Sequence, residues 1–109
     1  MISKKQILIF KSSADQLFEN KDYTCATILY FKTLFAVQDF LLLNKIGESP
    51  KDHSSRFRLL ETNFLDLFKE LNLEFGTYRE TYSKIIDKDT CVRIKKLVEN
   101  DINKYKIEQ

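Results

Sequence analysis

Apolar residues recur at helical spacing through most of the chain. Between residues 23 and 46, YTCATILYFKTLFAVQDFLLLNKI, they occupy nearly every side of the helical wheel, and only Lys32, Asp39 and Lys45 carry charge. A helix that is apolar all round must be enclosed by other helices. Asp22 stands just before the run, a residue type that accepts hydrogen bonds from free helix N–H groups. Gly47 stands just after it and can take the left-handed conformation that ends a helix. Lys32 and Asp39 interrupt the run seven residues apart, on one face, which argues against a membrane span. The pattern predicts the central helix of a bundle.

Four further helices are predicted around it. Ser3 and Gln6 have capping-box spacing, and Ile7, Phe10, Ala14, Leu17 and Phe18 then share one face. The short Asn20-Lys21-Asp22 connection makes this first helix an antiparallel neighbour of the second. In Gly47-Glu48-Ser49-Pro50, Ser49 is read as a cap and Pro50 as the first residue of helix three, with Asp52 in its first turn. Helix three then carries Phe57, Leu60, Phe64, Leu67, Phe68 and Leu71 as one stripe. Residues 73–76 read as a connection, and Thr77 with Glu80 as a capping box that starts helix four. That helix turns Tyr78, Tyr82, Ile85 and Ile86 inward. Asp87 or Asp89 caps helix five, whose inner side is Cys91, Ile94, Val98, Ile102 and Tyr105. Residues 106–109 are expected to fray. The fold class is all-α, an up-and-down bundle of about five helices in a single domain spanning residues 1–109.

Composition narrows the function classes. Two glycines and one proline in 109 residues favour long helices over many strands. Eighteen basic and sixteen acidic residues give a net charge of +2, too balanced to point to nucleic acid without a local basic patch. Cys25 and Cys91 form no CxxC pair, and with one histidine they do not make a four-ligand zinc site. Both fall at apolar-phase positions and are expected to be buried free thiols. The N-terminal MISKKQILIF has too short an apolar run for a signal peptide and no cleavage site after it. A reducing cytoplasm is the expected location, with no membrane, metal or cofactor.

Three groups of residues bear on chemistry. His53 lies between Asp52 and Ser54, but neighbours on one helical turn diverge, so no Ser-His-Asp triad forms there. Its plain reading is a polar residue near a helix start. Arg79 and Tyr82, three apart, share a helix face and would present a guanidinium and a phenol to a phosphate; the alternative is a surface ion pair beside a core tyrosine. Lys51, His53, Arg56 and Arg58 form a basic cluster that fits an RNA backbone or an ordinary solvated face.

Together these features resemble the HEPN superfamily. The resemblance lies in Lys21-Asp22-Tyr23, a long helix opening Cys25-Ala26-Thr27 with Tyr30 and Phe35, Leu41-Leu42-Leu43, then Gly47, Pro50 and His53. Arg79 with Tyr82 is similar to the arginine and tyrosine of the fourth helix in many small prokaryotic members. The resemblance covers nearly the whole chain. It implies a helical bundle that forms a homodimer, and a small nucleotidyltransferase as partner in a toxin–antitoxin type of pairing. RNA or nucleotide is the expected ligand, with Arg79 and Tyr82 from the resemblance and His53 and Arg56 from the basic cluster as the candidate binding residues. The family's ribonuclease motif is an arginine, four to six residues, then a histidine. From Arg79 that histidine would fall at Lys84, Ile85 or Ile86, and His53 precedes both Arg56 and Arg58. The leading expectation is therefore a non-catalytic binding module. The alternatives are a ribonuclease using Arg79 and Tyr82 in a dimer cleft, and a purely structural interaction domain.

Overall fold

Four of the five helices start on a capping side chain, and the fourth in chain order does not. In the computed structural model, which describes residues 2–107, Ser3 opens α1 (Lys4–Glu19) with a complete capping box to Gln6. Lys21 then takes a left-handed conformation (φ 63°), and the Asp22 N–H reaches the Leu17 carbonyl while that of Lys21 reaches Phe18. This is a Schellman ending. Asp22 at once becomes the cap of α2 (Tyr23–Ile46), accepting from the Cys25 N–H at 3.1 Å. Gly47 ends α2 at φ 75°, where a Cβ would be strained whatever space surrounds it.

α3 (His53–Asn63) begins later than the Ser49-Pro50 pair suggests. Asp52 is the cap: its carboxylate accepts from the Ser55 N–H at 2.8 Å, and the Ser55 hydroxyl accepts from the Asp52 N–H at 3.2 Å. Two reciprocal bonds outcompete the single one that Ser49 offers. The long predicted stripe from Phe57 to Leu71 is also interrupted. Phe64 (φ −144°, ψ 74°) separates α3 from α4 (Leu65–Glu80). The Lys45 Nζ donates to the Asn63 carbonyl at 2.8 Å and lies over the Phe64 ring, while Tyr105 meets that ring edge-on. These contacts satisfy a freed carbonyl and partly cover the ring at the break. α3 and α4 fold back antiparallel, which brings Phe57 against both Phe68 and Phe75.

Residues 73–76, expected as a connection, lie inside α4, and Thr77 with Glu80 caps nothing. Residues 81–84 form tight turns instead of a further helix, leaving Tyr82 76% and Ile85 94% exposed while Ile86 turns inward. The Ile86 N–H donates to the Thr24 hydroxyl at 2.9 Å, which ties this crossing to the start of α2. Asp87 caps α5 (Lys88–Lys104), whose inner side is Cys91, Ile94, Val98 and Ile102 as the periodicity predicts. Its end does not fray at once. Lys106 is left-handed (φ 55°), the Ile107 N–H reaches the Ile102 carbonyl, and the Ile107 side chain is fully buried. Residues 108 and 109 lie outside the described residues.

The bundle is all-α, with five helices and no strand among the described residues. α1 and α5 both pack along α2, and their core with it contains Ile7, Ala14, Tyr30, Phe31, Leu34, Cys91, Ile94 and Val98. The far end of α2 meets the α3–α4 pair through Leu42, Leu59, Leu60, Leu67 and Leu71. Phe35, Leu41 and Tyr105 touch both clusters, so one continuous interior results. α2 is long and apolar enough to cross a membrane by length and composition, but 56% of its most apolar window is buried within the bundle.

The path of α4 through Gly76 makes a prediction. A Cβ at Gly76 would meet nothing within 4 Å, and its φ is not positive. Gly76→Ala should therefore raise stability by about 0.5–1 kcal/mol, the usual gain at an exposed helix interior. Urea unfolding checks it; a loss of stability would restore a connection at residues 73–76.

Candidate functional site

The site is assembled where α2, α3 and α4 converge on a set of rings. Phe31 and Phe35 come from α2, one helical turn apart. His53 opens α3, and Phe75 and Tyr78 lie one turn apart on α4. Tyr78 is the hub. Its ring centroid lies 5.4 Å from Phe31, 5.0 Å from Phe35, 5.4 Å from His53 and 5.3 Å from Phe75. Most of these pairs are edge-on, the arrangement that puts a ring's positive edge against its neighbour's negative face. Tyr82, from the turns after α4, extends the cluster to the surface, and its hydroxyl lies 2.6 Å from that of Tyr78.

Beside this cluster is an open cavity of roughly 350 Å³, lined by Ile28, Lys32, Phe35, Tyr78, Thr81 and Tyr82. Its walls are aliphatic and aromatic. Its polar groups are few: the Lys32 ammonium, the two phenols, and the Thr81 hydroxyl, which already donates to the Tyr78 carbonyl at 2.6 Å. Lys32 lies over the Phe10 ring, 5.0 Å from its centroid, and is ion-paired to no carboxylate among the described residues. Burial, then the bond to Tyr82, pushes the Tyr78 phenol up to about 12. It is thus a hydrogen-bond donor at neutral pH and a poor base.

The four residues singled out from the sequence go to different places. His53 is half-buried, wedged between Phe35, Phe75 and Tyr78, and its Nδ1 is buried without a hydrogen-bond partner. Arg56, three residues on, is buried. Its Nη1 shares its protons among the Asp39 carboxylate at 2.8 Å, the Gln38 side-chain oxygen at 3.1 Å and the Phe35 carbonyl at 3.2 Å, with the guanidinium over the Phe35 ring. Arg56 thus clamps α3 to α2 behind the rings. Arg79 is exposed, 5.7 Å above the Phe75 ring. The structure brings both His53 and Tyr82 against the Tyr78 ring. It does not bring Arg79 to the Tyr82 hydroxyl, because α4 ends at Glu80 and the turns redirect Tyr82 toward Tyr78.

The sequence pattern turns Tyr78 inward but does not mark Ile28, Lys32, Phe35 or Thr81 as site residues. One signal was available. Cys25, Ile28, Lys32, Phe35 and Asp39 alternate at spacings of three and four, marking a strip of α2 that the other helices leave partly uncovered. Cys25 lies on that strip and is exposed, against the expectation of a buried thiol, whereas Cys91 is buried as expected. Both are free. No protein-family model matches the chain, nor does any curated protein or any solved structure.

His53 carries a pH dependence. Burial, and next the Arg56 guanidinium, holds the imidazole below its usual pKa. Protonation therefore favours the unfolded chain. The stability this group contributes is complete above its unfolded pKa of about 6.5 and is lost as pH falls through the folded value. His53→Phe keeps a ring in the cluster and should flatten this part of the acid limb. Urea midpoints between pH 7.5 and pH 5 measure the effect, and an unchanged slope in the variant would sink the assignment.

Proposed function

We propose that this chain is a non-catalytic, HEPN-like binding module whose cavity beside Tyr78 takes a nucleotide, free or as one unit of a single-stranded RNA. The observation that carries this reading is the pairing of aromatic walls with one cation that has no carboxylate partner among the described residues: Phe35, Tyr78 and Tyr82 line the cavity together with Lys32. A base stacks on such rings without regard to its identity, and an ammonium meets the phosphate as a point charge. Acid–base chemistry has little support at this site. Tyr78 is pushed to about 12, and His53 presents a ring packed on three sides.

The test is a chemical-shift titration of isotope-labelled protein with mononucleotides and a short mixed RNA. Shifts are expected at Ile28, Lys32, Tyr78, Thr81 and Tyr82. Tyr82→Ala should weaken binding of either ligand by about tenfold, within the usual worth of one stacked base. Lys32→Ala should weaken it and reduce its salt dependence. Arg79→Ala should affect RNA alone, because Arg79 stands outside the cavity. The RNA should remain intact. Cleavage abolished by Arg79→Ala or His53→Ala would place the chain among the ribonucleases instead.

Dimerisation and a nucleotidyltransferase partner belong to the same proposal. The partner rests on the sequence resemblance. The dimer also has the partly uncovered strip of α2 in its favour, where Ile28 is 42% exposed. A symmetric pair through α2 and the end of α4 would cover part of that strip and leave the two cavities opening into the cleft between the protomers. Light scattering should give twice the chain mass; a monomer at high micromolar concentration would count against the dimer.

A further inference from the structure

α4 carries Asp66, Glu70 and Glu74 four residues apart, in one line along its length. α5 runs past that line, but the two backbones stand apart, with no Cα of one within 8 Å of a Cα of the other. The helices are joined by side chains. At one end Asp66 accepts from the Lys104 ammonium and from the Tyr105 hydroxyl, both at 2.6 Å. At the other, Glu74 accepts two N–H groups of Arg93 at 2.9 and 3.1 Å. Each of these rungs pairs a carboxylate with a cation. The middle rung does not: Glu70 faces Asp101, carboxyl to carboxyl, within hydrogen-bonding reach.

Asp101 is only 1% exposed. Its Oδ2 and the Oε1 of Glu70 are both buried with no donor to satisfy them. Ionised carboxylates only accept hydrogen bonds, so two of them leave each other unsatisfied and repel in a low-dielectric site. One proton between them supplies the missing donor and removes one charge. A metal ion would be the other remedy, but no group of three carboxylate, histidine or cysteine side chains among the described residues is placed to hold one. We propose that Glu70 and Asp101 share a proton at neutral pH and that this proton latches α4 to α5, the latch releasing as the pH rises.

The surrounding charges agree. Asp66 is a third carboxyl group acting on the pair, and Lys104, the cation that acts on it, is already bonded to Asp66. α2 packs against α4 and α5, and its charged groups are occupied elsewhere: Lys32 over Phe10, Asp39 on Arg56, Lys45 on the Asn63 carbonyl. From α3, His53 and Arg56 face the aromatic cluster, and Arg58 and Glu61 are exposed. Burial first, then the bond and charge of Glu70, pushes the Asp101 carboxyl up to about 9, and burial raises Glu70 as well. The proton belongs to the pair. Because the folded chain binds it more tightly than the unfolded chain, the latch stabilises fully below the unfolded carboxylate range near 4. That contribution is lost as pH rises toward the folded value.

The wild-type protein, labelled at its carboxyl carbons, is titrated by NMR, and urea unfolding is followed from pH 5 to pH 9 in wild type, Asp101→Asn and Glu70→Gln. The Asp101 carbon should titrate far above the ordinary carboxylate range. The folded-to-unfolded ratio of wild type should fall relative to either amide variant, by up to about tenfold per pH unit for one linked proton. An amide brings its own N–H donor, so the variants need no proton. An Asp101 carbon that titrates near 4, or amide variants that keep the wild-type slope, would overturn the proposal. Should one variant fail to fold, the other and the wild-type titration still decide it. None of these readouts depends on a ligand in the cavity.

Discussion

The enclosure of α2 is the constraint on which the rest of the structure depends. Its residues from Ala26 to Leu42 include five of the twelve largest fully buried side chains, Tyr30, Phe31, Leu34, Gln38 and Leu42. Leaving such a helix in water would forfeit burial worth about 1.5–3 kcal/mol for each large apolar side chain. Two helices cover one stretch of it and the α3–α4 pair covers its far end. Its buried threonines are settled within the helix: Thr27 and Thr33 donate to the carbonyls four residues back. Where cover runs out, along Cys25, Ile28 and Lys32, the cavity begins.

Charge inside the bundle follows a consistent rule. Every partly buried ion has a partner on another element or one turn away. Arg56 reaches Asp39 across α3 and α2, Arg93 reaches Glu74 across α5 and α4, and Lys11 reaches Asp15, which also accepts from the buried Tyr30 hydroxyl. These pairs fix the rotation of each helix about its axis, which apolar contacts alone leave loose. Glu70 and Asp101 keep the rule only with a proton in place of the cation. The aromatic cluster is positioned by the same devices, since the Arg56 clamp holds the start of α3, and His53 with it, against Phe35.

Much of this was legible in the sequence. The limits of α2, the Ser3 and Asp22 caps, the apolar face of α5 and the all-α class follow from side-chain types at fixed short spacings. Such signals are local: a cap bonds within three residues and an amphipathic stripe repeats every three or four. The same locality explains the errors. Ser49 and Asp52 both qualify as caps, and only the reciprocal bond with Ser55 separates them. Gly76 and the Thr77–Glu80 spacing imitate a helix boundary, yet α4 continues because Leu71, Glu74, Phe75 and Tyr78 find partners on other helices.

The break at Phe64 and the composition of the site belong to tertiary structure alone. No glycine or proline marks Phe64; Lys45 and Tyr105, 19 and 41 positions away along the chain, make the break stable. Likewise Ile28, Lys32, Tyr78 and Tyr82 meet only because α2 and the end of α4 are brought side by side. Residue types at short range specify which segments are helical and which faces are apolar. Which helix ends meet, which charge finds a partner and which face is left uncovered depend on how five apolar faces are shared out. That allocation is a property of the packed whole, because each face can be buried against more than one neighbour and only the complete bundle satisfies them together.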